Sequence, residues 1–173
     1  SLYTEVLEAY DAQIDYSQYD ADQNGYIDGL YLHFAGEDDG WGSTFWSYVT
    51  YLFDKTYDGI SIGQRACLLH ETATETICHE TGHLLGLADY YSYTMTTPFG
   101  NYNWVGDDDT MIAGNGDHNA VSKMLLGWIE QVRLISDSGE YTLGDFADNG
   151  DAAILYPFGE TEGDSFFVLQ KQT

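Results

Sequence analysis

The run His79-Glu80-Thr81-Gly82-His83-Leu84-Leu85-Gly86-Leu87-Ala88-Asp89 has the spacing HExxHxxGxxD, and the rest of the chain can be read outward from it. In a helix over residues 74 to 85 the two histidines stand four apart on one face, with imidazoles close enough to share a metal. Zinc takes such ligands readily. Glu80, one step along from His79, would face the same rim without being a ligand, where its carboxylate can deprotonate a metal-bound water. That is the chemistry of peptide hydrolysis.

The flanks predict both the helix and its end. Thr72 with Glu75 three residues later has a capping-box pattern, and Thr74 is a rival start. Ile77, Leu84 and Leu85 supply an apolar side. Gly86 suits the left-handed residue that closes a helix and turns the chain back, so that Asp89 can approach the metal as third ligand. In an unbroken helix Asp89 would lie about 9 Å further along the axis than His83. HExxH alone recurs by chance, and it is the helix signal, Gly86 and Asp89 together that favour a zinc hydrolase over a coincidental match.

The run Cys78 to Tyr91 (CHETGHLLGLADYY) resembles the active-site signature of the immune inhibitor A type secreted bacterial metallopeptidases, which are similar to metzincins. Asp20 to Gly36 (DADQNGYIDGLYLHFAG) resembles that family's aspartate-rich loop and following strand, Lys123 to Trp128 (KMLLGW) its helix after the active site, and Phe166 to Lys171 (FFVLQK) the strand near the start of its β-rich extension. Ala88 departs from the proline usual before the ligand aspartate, which implies a less rigid turn. The resemblance implies an α+β zincin-like catalytic domain, a methionine turn under the zinc, an edge strand that pairs with extended substrate, and secretion from a bacterial cell. Met111, followed by small residues and glycine, is the candidate for the methionine turn in preference to Met95.

Composition sets outer limits. The 173 residues suffice for one domain with a core, or one domain and a small appendage. Lys and Arg total 5 against 29 Asp and Glu, a formal charge of -24, which makes nucleic acid a poor partner. With 43% hydrophobic and 16% aromatic residues, the acidity belongs to a folded protein able to hold cations and not to an acidic tail. No apolar run approaches a membrane span. The chain opens on Ser1 without a signal peptide and reads as a piece of something longer. Cys67 and Cys78 do not make a disulfide framework; Cys78 reads as a buried small residue in preference to a ligand, and a bridge between the two stays open.

In chain order, Tyr3, Val6, Leu7, Tyr10 and Ile14 recur at helical spacing and predict a first amphipathic helix ending before Tyr16. Asp20, Asp22, Asn24 and Asp28 in DxDxNGxID match positions 1, 3, 5 and 9 of a calcium loop, but position 12 is Tyr31. The segment is either an incomplete calcium site or an Asx-rich turn without metal. Gly29 to Ala35 reads as a strand with Leu30, Leu32 and Phe34 on one face, and His33 as a sheet histidine. Phe45 to Phe53 reads as a strand-like aromatic stretch, in the core or lining the cleft. Asp54 to Gly59 is a turn, and Ile60 to Leu69 one or two strands.

Tyr90 to Asp109 reads as a long surface loop whose aromatic residues, Tyr91 and Tyr93 among them, shape the cleft. Asp107 to Asp109 is a solvated charge run or a second cation site. His118 rivals Asp89 as third ligand; otherwise it caps a helix over Asn119 to Leu126 or contacts substrate. From Ile129 short segments at Ile129 to Ile135, Glu140 to Leu143, Ala152 to Tyr156 and Ser165 to Gln170 predict antiparallel strands. Residues 1 to 128 are therefore expected to form the catalytic domain and 129 to 173 a β-rich region that begins a longer extension.

The expected activity is zinc-dependent hydrolysis of peptide bonds in proteins or peptides, with His79, His83 and Asp89 on the metal and Glu80 as general base. Two alternatives differ in class. A catalytically inert, calcium-dependent binding module would explain the acidity and the aspartate-rich loop, and a zinc hydrolase of a non-protein substrate would keep the metal site and change the cleft.

Overall fold

A computed structural model describes residues 2–37, 39–40, 45–51, 55–62, 66–70, 74–97, 100–103, 109–113, 116–130, 132–156 and 165–171. It is a mixed α+β chain. Helix α1 (Leu2–Tyr10) buries Tyr3 and Leu7. It stops at Tyr10, whose carbonyl takes the amides of both Gln13 and Ile14, so Ile14 reaches the core from beyond the helix. A short 3-10 turn, Tyr16–Tyr19, follows under an N-cap by Asp15.

Strand β1 (Leu30–Phe34) alternates as expected, with Leu30, Leu32 and Phe34 packed toward Tyr3 of α1. His33 is exposed on the other face. The aromatic stretch yields only β2 (Tyr48–Thr50) as strand, and Leu52 and Phe53 lie outside the described residues. Strands β3 (Thr56–Tyr57) and β4 (Ile60–Ser61) form a tight hairpin through Asp58 and Gly59 at φ 50° and 82°, so the expected turn is narrower than Asp54 to Gly59. Strand β5 (Ala66–His70) runs parallel to β1 and antiparallel to β2, which gives a sheet of order β1-β5-β2 with β2 on its edge.

Helix α2 (Thr74–Leu84) carries the motif. The Tyr31 hydroxyl lies 3.1 Å from Thr81 Oγ1, and Thr81 in turn donates to the Ile77 carbonyl at 2.6 Å. Tyr31 and the α1-facing residues of β1 alternate, so α1 and α2 cover opposite faces of the sheet. Thr72 lies outside the described residues, which leaves the capping box undescribed.

The stretch after Asp89 corrects the expectation of a loop. Strands β6 (Tyr91–Thr97) and β7 (Gly100–Asn103) pair antiparallel. YSYTMTT is rich in aromatic and β-branched residues, which suit a pleated surface, and the neighbouring Gly, Asn and Asp obscure that pattern. A helical turn α3 (Thr110–Ala113) and helix α4 (Ala120–Leu125) follow. Asn119 caps α4 by accepting the Ser122 amide at 3.0 Å, and His118 does not cap it.

The last part departs from a purely antiparallel arrangement. Strand β8 (Arg133–Ile135) is parallel to β9 (Ala152–Leu155), and β10 (Phe167–Gln170) pairs antiparallel to β9. Between β8 and β9 lies an unexpected helical turn, α5 (Phe146–Asn149), capped by Asp145 and closed by left-handed Gly150 at φ 67°. Glu140 to Leu143 is not a strand. Ala120 of α4 shares a buried cluster with Phe146 and Ala152, and its amide donates to Gln170 Oε1 at 2.6 Å, so α4 and the β8–β10 sheet are joined by a common core. No helix among the described residues is long and apolar enough to cross a membrane.

Candidate metal centre

The helix end governs the site. The Leu87 amide donates to the Gly82 carbonyl at 2.9 Å and the Gly86 amide to His83 at 3.0 Å, with Gly86 at φ 105°. This is a Schellman closure, which a residue with a Cβ would strain at position 86. The reversal brings Asp89 back over the two histidines. Its Oδ1 lies 3.1 Å from His79 Nε2 and 3.4 Å from His83 Nε2, and one ligand atom from each residue falls within 4.8 Å of the others.

The remaining ring nitrogens are already held. His79 Nδ1 lies 2.8 Å from the Thr110 carbonyl, and His83 Nδ1 lies 2.9 Å from the Leu87 carbonyl. A carbonyl only accepts, so each Nδ1 carries the hydrogen and each Nε2 offers a lone pair. Asp89 Oδ1 is buried and receives no hydrogen-bond donor. Three acceptor atoms facing one another in a partly buried place need positive charge between them, from a proton or a cation. Two imidazole nitrogens and one carboxylate oxygen make a donor set suited to a divalent transition metal.

Titration behaviour follows from the same contacts. Burial disfavours the charged form of either histidine, yet the Asp89 carboxylate and the backbone carbonyls of Thr110 and Leu87 outweigh it and raise both above the ordinary value. Burial would lift Asp89, but the two imidazoles beside Oδ1 and the Tyr93 hydroxyl on Oδ2 hold it far below the usual carboxylate range. Glu80 is 7% exposed, and burial pushes it up against the pull of both histidines and a hydrogen bond with the Val49 backbone. The edge strand β2 thus contacts Glu80 directly.

These groups open onto a cleft of about 570 Å³, lined by the aromatic side chains of Trp46, Tyr48, Tyr51, Tyr91 and Tyr93. Trp46 and Tyr48 stack with ring centroids 5.6 Å apart. The aromatic stretch therefore lines the cleft.

Met111 is fully buried beneath α2, where a Cβ added at Gly82 would overlap its sulfur and come within 3.2 Å of its Cε. Met95 is exposed. His118 is not gathered with His79, His83 and Asp89. It packs behind α2, where its Cε1 lies 3.4 Å from a Cβ at Gly82, and burial pushes its pKa down. Cys78 is exposed and free, which corrects its reading as a buried residue: it sits on the side of α2 facing Trp128 and His118.

Asp20, Asp22 and Asp28 also bring carboxylate oxygens within 4.8 Å of one another. The same groups close the loop on itself. Asp20 accepts the amides of Asn24 at 3.0 Å and Gly25 at 2.9 Å, Asn24 accepts that of Tyr26 at 2.9 Å, and Asp28 accepts that of Ala21 at 3.0 Å.

Two groups escaped the sequence reading. Asp109, expected in a solvated run or cation site, is 3% exposed and accepts the amides of Met111 at 2.6 Å and Asn119 at 2.8 Å; Asp107 and Asp108 lie outside the described residues. Tyr93 donates from its hydroxyl to Asp89 Oδ2. A signal for the second existed, since Asp89, Tyr91 and Tyr93 alternate at period two and share one side of an extended chain. No protein-family model, curated protein or solved structure matches the chain.

Proposed function

We propose that this chain is a zincin-like metallopeptidase domain that hydrolyses peptide bonds in proteins or peptides. The observation that carries the reading is the convergence of His79 Nε2, His83 Nε2 and the donor-less Asp89 Oδ1, with Glu80 beside them at the mouth of the cleft. Zinc held by these three residues would supply Lewis acidity toward the scissile carbonyl and an acidified water. The same donor set also suits iron(II) in oxygenases. Glu80 favours hydrolysis, because a carboxylate whose hold on a proton is strengthened by burial can take a proton and later return it to a leaving amine.

The residues divide the work. Thr110 and Leu87 hold the rings with Nε2 inward, and Val49 steadies Glu80. The aromatic walls exclude water and offer apolar surface to substrate side chains. The acidic loop adds a second cation to the proposal: Asp20, Asp22 and Asp28 would present oxygens to calcium, a hard ion suited to them. Secretion rests on the resemblance to the immune inhibitor A type enzymes and on the acidity.

Elemental analysis of the purified protein after dialysis without chelator, beside His83→Ala, tests the metal. About one zinc per chain, lost in the variant, is expected from a three-ligand catalytic site. Casein or peptide-library digestion separates a peptidase from a hydrolase of another substrate. Glu80→Gln should keep the metal and lose about 10²–10⁴-fold in rate; full activity in that variant sinks the mechanism. A wild type that stays zinc-free after zinc is supplied leaves calcium-dependent binding as the better reading.

A further inference from the structure

Asp89 uses its two oxygens differently. Oδ1 faces the histidines, while Oδ2 accepts the hydroxyl hydrogen of Tyr93. Tyr93 is 65% exposed, so its ring contributes little to the core. It is steadied by an edge-to-face contact with Tyr91, ring centroids 5.2 Å apart and planes at 69°. Both tyrosines stand in β6 directly after the turn that delivers Asp89.

A carboxylate turns easily about its last side-chain bond, a broad and roughly two-fold torsion. With both oxygens free it can present either one, or both together, to a cation. A donor on one oxygen restricts that turn and leaves the other as the ligand atom. We propose that Tyr93 is a positioning residue that occupies Oδ2 and offers Asp89 to the metal through Oδ1 alone. The inference rests on the metal-site reading above. One-oxygen binding also keeps a further position available for water or a substrate carbonyl, as a catalytic site requires.

Wild type and Tyr93→Phe, stripped with chelator, are compared by zinc competition against a chromophoric chelator and by the visible absorption of their cobalt(II) forms. The variant is expected to bind zinc about 10–100-fold more weakly. Its cobalt bands should also be weaker, because a carboxylate free to bind through both oxygens raises the coordination number. Equal zinc affinity and an unchanged cobalt spectrum overturn the inference and leave the metal site intact. Weaker zinc binding with an unchanged spectrum overturns it too, since Tyr93 would then act by some route other than the binding mode of Asp89. A wild type that takes up neither zinc nor cobalt instead overturns the metal reading itself, and the inference with it.

Discussion

His79 Nδ1 and the carbonyl oxygen of Thr110 stand 2.8 Å apart across 31 positions of sequence, so the ring that faces Asp89 is aimed by a segment outside the HExxH motif. That segment is itself tied down. The Asp109 carboxylate accepts the Met111 amide on one oxygen, and the Asn119 amide and side chain on the other at 2.8 and 2.7 Å. Thr110 lies between these anchors, with its own hydroxyl donating to the Gly116 carbonyl at 3.1 Å.

Asp109→Ala should therefore weaken both fold and metal site. It strands three donors that are buried or half-buried, each costing about 1–3 kcal/mol, so a loss of at least about 3 kcal/mol is expected in urea unfolding. Zinc affinity should fall with it, because His79 loses the fixed carbonyl that holds its tautomer. Unchanged zinc affinity in a folded Asp109→Ala protein would separate this clamp from the metal site.

Metal binding should depend on pH in a direction set by the titrating groups. Without metal, His79 and His83 have folded pKa values raised above 6.5, so their stabilising contribution is complete below that pH and is lost as pH rises through the folded values. Glu80, raised above 4.5, likewise favours the folded state less once it must ionise. Asp89 acts in the opposite sense: depressed below 3.8, it stabilises above that pH and ceases to as pH falls through its folded value. In the proposed site zinc would replace the protons on the histidines, so its affinity and the thermal shift it produces should grow between about pH 5 and 8. Thermal melts of stripped and zinc-loaded protein across that range check the trend; a shift that shrinks with rising pH contradicts the assignment of both histidines as ligands.

Gly82 is the closest approach between α2 and its support. A Cβ there would overlap Met111 Sδ, and Met111 is fully buried, so the sulfur has little room to retreat. Gly82→Ala gains about 1 kcal/mol of helix propensity but should lose about 1–3 kcal/mol to overpacking. A net fall in the unfolding midpoint is expected, and Gly82→Ala with Met111→Ala should recover part of the overlap while opening a cavity. A single variant more stable than wild type would show that Met111 moves aside freely.

The readings that succeeded from sequence are those whose causes are local. Two histidines four apart, a glycine three residues later and an aspartate three beyond it are enough to expect a closed helix end that returns the chain, and Gly86 closes the helix while Asp89 comes back beside the histidines. The alternation of Leu30, Leu32 and Phe34 likewise needed only neighbours on one strand. What failed depended on distant partners. Asp109 reads as one of three exposed acids until Met111 and Asn119 surround it. The direction of β8 against β9 is set by the crossover through α5, which turn residues alone do not reveal. In β6 the tyrosines and threonines suit a strand, but the glycines and asparagines around them dominate the local composition and mask it.

The aspartate-rich loop separates two sources of order. Ile27 donates to the Ser61 carbonyl and Ser61 to that of Gly25, both at 2.9 Å, so the loop fastens β4 just ahead of β1. Asp20 holds its turn by accepting the Asn24 and Gly25 amides, and Asp20→Ala should cost about 1–2 kcal/mol in metal-free buffer from those bonds alone. If calcium also binds through Asp20, Asp22 and Asp28, as proposed, millimolar calcium should raise the melting midpoint of the wild type by mass action and leave that of the variant unmoved. A wild-type midpoint that ignores calcium, together with the loss in metal-free buffer, would assign the loop's order to its own hydrogen bonds. Equal midpoints for wild type and variant in the absence of calcium would show that those bonds contribute nothing to stability.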